Sequence, residues 1–506
     1  MLWRIGDGRR LVTRTPDTSM NIPSRLKDKS LFREQAFVGG VWSCADDGGT
    51  VPVIDPATGT QIGTVPALGA AEARRAILAA EAAWPIWRAL PSSERGRLLE
   101  AWHDLMIANL EDLALIMTLE QGKPLAEARG EIRYGAGFIK WFAEEARRIY
   151  GDTVPAPSAD RRIILLREPV GVSVAITPWN FPNAMITRKA GPALAAGCPI
   201  VVKPSELTPY SALALAVLAE RAGIPKGVLS IVTGLPQGIG GEFTSNASVR
   251  KLSFTGSTRV GRLLMQQCAD TVKRVSFELG GNAPFIIFDD ADIDLAVAGL
   301  MASKFRNGGQ TCVCANRILV QDGIHDRFAD RLLAEVAKLV VGNGLDDGVT
   351  IGPLINDAAV EKVRRHIDDA RGKGAQLLIG GHAGGNGHFA EPTVLAGASV
   401  EMQLASEETF GPVAPLFRFK DEQQAIEIAN ATPYGLASYY FTENLNRAWR
   451  VAERLEFGMV GLNTGSVSLE VAPFGGIKQS GIGREGSKYG IEEYLEIKSF
   501  HLGGLH

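Results

Sequence analysis

The strongest constraint on this chain is a repeated alternation of short apolar runs with helical stretches, beginning at Pro169. VGVSVAI, PIVVKP, VLSIVTG, VRKLSFTG and VKRVSFELGG have the length and the β-branched content of buried strands, and TPYSALALAVLAERAG has a helical period. Strands that alternate with crossover helices specify a parallel sheet. A second alternation runs from Ala283 to about Leu462. It contains PFIIF, a helix from about Ile293 to Phe305, RILVQ, a helix from His325 to Val340, and SYYF. With 506 residues the chain is long enough for two or three domains, so two α/β units are expected.

The remaining segments fit around this frame. AFVGGVW reads as a short strand and turn. Residues from Ala70 to about Arg148 are helical in pattern, with Ser92 or Ser93 as the expected N-cap and Gly122 and Pro124 closing one run. RRIILL (161–166) and the tail YLEIKSFHL read as two strands outside both units. Leftover strands of this kind pair across subunit interfaces, so a homodimer or homotetramer is expected. Met1 to Lys27 carries Arg4, Arg9, Arg10 and Arg14 without a clean amphipathic period. It reads as a flexible extension rather than a transit peptide, with folding beginning near Leu31.

Composition narrows the partners. The formal net charge is -3, with Lys+Arg at 53 against Asp+Glu at 56, which argues against nucleic acid or an anionic membrane as the main partner. The five cysteines are an odd and sparse set, suited to a reducing compartment, so a cytoplasmic location is expected. The longest uncharged run, Val170 to Thr187, is broken by Pro178, Asn180, Pro182 and Asn183 and does not read as a membrane span. No His or further Cys stands at ligand spacing from Cys312 and Cys314, so no metal site is expected.

Ligands of open parallel sheets bind at the carboxyl ends of the strands, and TPWN, KPSE, FTGS and ELGG all stand where a strand stops. In GGQTCVCAN, small residues precede Cys312. A cysteine attacks as its thiolate, and small neighbours let backbone N–H groups approach a carbonyl oxygen. The same loop equally suits a buried structural thiol. Glu278 in FELGGNAP follows an apolar strand and precedes two glycines. It can act as a general base in a cleft, or simply be a solvated strand-end carboxylate. Asn180 can donate to an oxyanion or serve as a turn residue between prolines. Lys203 and Glu206 end a strand where ribose hydroxyls bind, and Gly256–Ser257 opens a helix suited to pyrophosphate. No complete G-x-G-x-x-G is present, and GLPQGIGGEF only approaches it. From the residues alone the chain reads as an α/β enzyme with a nucleotide site, the role of Cys312 being open.

FELGGNAP, GGQTCVCAN about thirty residues later, EETFGPV, NTG and PFGGIKQSGIGREG, in this order, resemble the aldehyde dehydrogenase superfamily over residues 31 to 503. The stretch from KFRNGGQTCVCAN to SKYGIEEYLEIK looks most like members that oxidise succinate semialdehyde, with those acting on glutarate semialdehyde next. The resemblance implies a Rossmann-like NAD(P)-binding domain (28–147 and 167–280), an α/β catalytic domain (281–472) and oligomerisation strands (148–166 and 485–506). It implies Cys312 as nucleophile, Glu278 as base and Asn180 as oxyanion donor. Lys203 and Glu206 would bind the adenosine ribose, Gly256 and Ser257 the pyrophosphate, and Glu408 the nicotinamide ribose, with Trp179 and Phe410 lining the cofactor cleft. A semialdehyde carboxylate would be held by Arg188, Arg306 and Ser468, while Ser466 departs from the apolar residue expected there. Glu206 stands where phosphate-preferring relatives have a small polar residue, so NAD is expected, with NADP possible. Cys314 matches a second cysteine that acts as a redox brake in some members, an inert thiol being the alternative. Two rival classes compete: a catalytically dead nucleotide-binding member, and an acylating dehydrogenase that uses coenzyme A.

Overall fold

The computed structural model of the protein describes residues 4–5, 9–10, 22–385 and 387–505. Two large sheets organise it. In the eight-stranded sheet the order is Gly481–Ile482, Arg274–Glu278, Val249–Thr255, Val172–Ile176, Ile200–Lys203, Leu229–Ile231, Ala36–Val38 and Val41–Ser43. The five strands from Arg274–Glu278 to Leu229–Ile231 run parallel, and the two edges are antiparallel. Alternate side chains enter opposite layers. Ile200 and Val202 join the core around Trp102, Phe138 and Leu213, whereas Val201 joins Val174, Leu252 and Phe277. Strands buried on both faces have no polar positions to spare, which explains their continuous apolar sequence.

The chain leaves Val172–Ile176 in one direction through Ile200–Lys203 and Leu229–Ile231. It then returns to the other side of that strand at Val249–Thr255. Strand order therefore reverses between Val172–Ile176 and Val249–Thr255, and the crevice at such a reversal is where ligands bind.

The seven-stranded sheet has the order Gln376–Ile379, Thr393–Ala396, Val413–Phe419, Ala315–Gln321, Ala283–Ile287, Ala437–Phe441 and Met459–Leu462. All its pairings are parallel except the first. The same alternation recurs: Phe285 and Ile287 enter one core, Ile286 and Phe288 the other. Only Leu279 to Asn282 separate Glu278 from this second sheet, so ELGG is the hinge point between the two. A separate three-stranded antiparallel sheet joins Leu495–Leu502, Arg162–Pro169 and Asp152–Val154.

Two expectations need correction. The expected flexible extension does not reach Lys27. Ile22–Arg25 is helical, Ile22 and Leu26 are buried in the core, and the Lys27 and Asp28 amides donate to the Asp112 carboxylate at 3.0 and 2.8 Å. Two apolar side chains spaced by one helical turn find a hydrophobic slot that a count of arginines does not reveal. The rest of that extension lies outside the described residues, apart from the backbone pairing of Arg4–Ile5 with Arg9–Arg10. The helix Ser92–Ala108 starts with Pro91 at its N-cap position and has no side-chain cap from either serine. GLPQGIGGEF is not a phosphate loop either, because Pro236–Ser245 is a helix with proline at its first turn.

Candidate active site

The crevice at the strand reversal gathers the ends of four strands. Asn180 follows Val172–Ile176, Lys203 ends the next strand, Gly256 and Ser257 follow Val249–Thr255, and Glu278 ends Arg274–Glu278. The loop holding Cys312 comes from the second sheet, ahead of Ala315–Gln321.

That loop is forced into shape by its backbone. Asn307, Gly308 and Gly309 have φ of 51°, 60° and 76°, three successive residues in the left-handed region. A Cβ on Gly309 would lie 2.2 Å from the Gly411 carbonyl oxygen, so the nucleophile loop touches the EETFGP loop there. A Cβ on Gly281 would lie 2.5 Å from the Cys312 carbonyl oxygen. The glycines of GGQTC and ELGG thus let three loops meet around one sulfur.

Asn180 is tied into this arrangement. Its Nδ2 donates to the Gln310 carbonyl at 3.0 Å. Its own carbonyl accepts from Lys123 Nζ at 2.8 Å and from Asn307 Nδ2 at 3.0 Å. Lys123 in turn is paired with Glu131, both fully buried. Glu131 also accepts from the Asn183 and Ala184 amides at 3.0 and 3.2 Å, capping the helix Ala184–Ala196, which has no side-chain cap of its own.

Cys312 is half-buried, and burial pushes its thiol pKa up to about 12, with Arg188 the strongest opposing charge. Glu278 is buried, and its Oε2 has no hydrogen-bond partner. Burial first, then the neighbouring Glu485 carboxylate, raise its pKa well above the ordinary carboxylate range. Burial acts the same way on Glu485, but Lys189 and Arg188 overcome it and hold that carboxyl below the usual range. Lys189 hydrogen-bonds Glu485 Oε1, and Arg188 Nη2 lies 2.9 Å from Oε2. Arg188 is thus the cation that acts on Cys312, Glu278 and Glu485 together.

The residues expected on the cofactor side have the following surroundings. Lys203 and Glu206 form an ion pair at 2.7 Å. Ser257 caps the helix Thr258–Ala269, whose N-terminus can meet an anion. Trp179 and Phe410 stand edge to face with ring centroids 5.5 Å apart, Phe410 being held at φ 56°. Glu408 is held by the Gly281 amide at 3.3 Å, and burial pushes its pKa up to about 7. A carboxylate and a lysine at a strand end, a helix N-terminus and an aromatic pair are the groups a dinucleotide requires.

On the substrate side the expected residues differ from one another. Arg306 stacks 5.1 Å over Phe181 and makes no ion pair among the described residues. Arg188 is fully buried between Phe138 and Phe474, 5.4 and 3.8 Å from their centroids. It already faces Glu485, a partner the sequence did not reveal. Nη2 is engaged in that ion pair, whereas Arg188 Nε has no acceptor among the described residues. Ser468 is half-buried, and Ser466 is exposed. Cys314 is buried with its sulfur 3.3 Å from Lys304 Nζ, so reaching Cys312 would require leaving that contact. Among the described residues no cluster of His, Cys, Asp and Glu suits a metal ion.

Lys123, Glu131, Lys189, Asn307 and Glu485 were missed by sequence reasoning. Lys123 sits in GKP, a motif read only as a helix end. Asn307 and Glu485 lie inside KFRNGGQTCVCAN and PFGGIKQSGIGREG, which were read as motifs without a role for either residue, and Glu131 and Lys189 stand on helices with no local signature.

The profile of the aldehyde dehydrogenase family matches residues 42–500. The glutarate-semialdehyde dehydrogenase of Pseudomonas aeruginosa is 63% identical over 483 residues, covering 95% of this chain and 100% of that one. The NADP(+) succinate-semialdehyde dehydrogenase GabD of Escherichia coli is 60% identical, covering 95% and 100%. Among solved structures, succinate-semialdehyde dehydrogenase from Burkholderia pseudomallei superposes with a TM-score of 0.94 at 62% identity, covering 94% and 99%.

Proposed function

The chain belongs to the aldehyde dehydrogenase family, NAD(P)-dependent oxidoreductases that convert aldehydes to acids, and from that premise we propose that its substrate is an aldehyde with a carboxylate at its far end. Succinate semialdehyde is the first choice and glutarate semialdehyde the alternative, in keeping with the names of these relatives. The observation that carries this reading is the pair of substrate-side guanidiniums: among the described residues Arg188 Nε has no acceptor and Arg306 has no ion pair. Charge-assisted hydrogen bonds from such groups contribute roughly 1.5–3 kcal/mol each. Two of them would favour an ω-carboxy aldehyde over a neutral one by about a hundredfold or more. Ser468 would complete the carboxylate site.

Chemistry then centres on the chain's own groups. Cys312 gives up its thiol proton to solvent, favoured by the Arg188 charge, and the thiolate sulfur adds to the aldehyde carbon. Asn180 Nδ2 turns from the Gln310 carbonyl to the new oxyanion, assisted by the Cys312 amide. Bound NAD(P) supplies the hydride acceptor. Glu278 next activates water against the resulting thioester, releasing the acid and the thiol. An oxyanion donor of this kind contributes roughly 3–4 kcal/mol.

Trp179, Lys203, Glu206, Gly256, Ser257, Glu408 and Phe410 would hold the dinucleotide. Glu206 argues for NAD. A carboxylate about 4 Å from a 2′-phosphate costs up to roughly 4 kcal/mol at an effective dielectric near 20, less where solvent screens it. The sheet of Asp152–Val154, Arg162–Pro169 and Leu495–Leu502 exposes Leu166, Ile497 and Phe500, which supports assembly as a homodimer or homotetramer. Free thiols at all five cysteines suit a cytoplasmic setting. No helix among the described residues is long and apolar enough to cross a membrane.

The test is a kcat/KM panel over succinate semialdehyde, glutarate semialdehyde, butanal and pentanal with NAD and with NADP. At least a hundredfold preference for the carboxylated aldehydes, with NAD favoured, is expected. Equal rates on neutral aldehydes of matched length would refute the substrate reading, and a clear NADP preference would refute the argument from Glu206.

A further inference from the structure

We propose that the Tyr134 hydroxyl is a specificity-determining group that donates a hydrogen bond to the distal carboxylate of the substrate, working with Arg188. The inference rests on the ω-carboxy substrate class proposed above and adds a residue that neither the sequence motifs nor the comparisons assign.

Tyr134 lies on the helix Leu125–Glu145, and its ring stands edge to face against Phe138, centroids 5.0 Å apart and planes at 83°. Phe138 is one of the two rings that sandwich the Arg188 guanidinium. The phenolic oxygen is buried and has no hydrogen-bond partner among the described residues. Buried hydroxyls almost always find one, and an orphan calls for an explanation. Arg188 Nε is orphaned in the same way, so unsatisfied donors from two helices stand on one aromatic floor. What they lack in common is an acceptor, and a carboxylate offers about four lone-pair sites.

Two further observations place this floor next to the chemistry. The Arg188 charge acts on both Cys312 and Glu278, and Tyr134 acts on Arg188 in turn. The loop holding Ser468 packs on the same helix: a Cβ on Gly137, one turn from Tyr134, would lie 3.5 Å from Glu470. Tyr134, Arg188 and the Ser468 loop thus belong to neighbouring elements, between which the distal carboxylate would be held. A phenol adds a donor without adding charge. It therefore helps a carboxylate without further repelling Lys189 or loading the Glu485 pair.

Tyr134→Phe removes only this hydroxyl and keeps the ring against Phe138. KM for succinate semialdehyde should rise about tenfold or more. The inhibition constant of succinate, which needs no turnover, should rise by the same factor. Saturating kcat, and kcat/KM for butanal, should stay within about twofold. The melting temperature should hold or rise, because an unsatisfied buried hydroxyl costs stability. An unchanged KM and inhibition constant, in an enzyme whose wild type prefers carboxylated aldehydes, would overturn the role of Tyr134 and leave the substrate class standing. A melting temperature lowered by several degrees, with equal losses on butanal and succinate semialdehyde, would make the hydroxyl structural and also overturn it. A wild type that shows no preference for carboxylated aldehydes would overturn both at once.

Discussion

Glu278 and Glu485 share two cations between them, and the structure gives nearly all of that compensation to Glu485. Glu278 is therefore the carboxyl that stays protonated above the ordinary carboxylate range, with burial as the main cause. Hydrolysis of a thioester needs it ionised. Below its raised pKa, deacylation should fall about tenfold per pH unit. Replacing Glu485 with Gln removes a repelling charge and leaves Lys189 and Arg188 to act on Glu278, so the ascending limb of kcat against pH should move to lower pH. In Glu278→Gln, a first-turnover burst of reduced cofactor should persist while steady turnover drops by roughly 10²–10⁴. A burst absent from that variant, or a limb unmoved in Glu485→Gln, would contradict these assignments. Cys312 and Glu278 stood out in the sequence because of small residues before one and glycines after the other, but their roles came only from the family resemblance. Glu485 and Lys189 were not legible. Each is an ordinary charged residue until the fold buries them together.

At the scale of elements, glycine sets the spacing between loops. Gly309 is held at φ 76° with no room for a Cβ against Gly411. Gly309→Ala must therefore displace either the Cys312 loop or the Glu408–Phe410 loop. Both kcat and KM for the dinucleotide should worsen, by about tenfold or more each, with the melting temperature falling. A variant with only one of these parameters altered would mean that the two loops move independently. The strands and crossover helices followed from periodicity, since a sheet buried on both faces demands continuous apolar runs. The Lys123–Glu131 brace behind Asn180 did not follow, because a charge on an amphipathic helix reads as its solvated face. Only the packing of Leu125–Glu145 on Ala184–Ala196 turns that face inward. The buried N-terminal turn at Ile22 was hidden for a similar reason, its two apolar residues being too few to register as a helix.

For the whole molecule, the strand Leu495–Leu502 pairs with Arg162–Pro169 along one edge and presents Ile497 and Phe500 to solvent. A surface cavity of about 580 Å³ lined by Trp141, Tyr150, Arg167, Tyr489 and Leu495 adjoins it and contains none of the candidate catalytic residues. Phe500→Asp should convert an oligomer into a smaller species in light scattering after size exclusion. An unchanged mass would place the subunit contact elsewhere. The Lys189–Glu485 contact has a consequence for folding. Its partners are separated by 296 positions along the chain. Closing so long a loop costs entropy that only the assembled sheets can offset, so the two cations beside the catalytic sulfur gain their counter-charge late, once distant segments have docked.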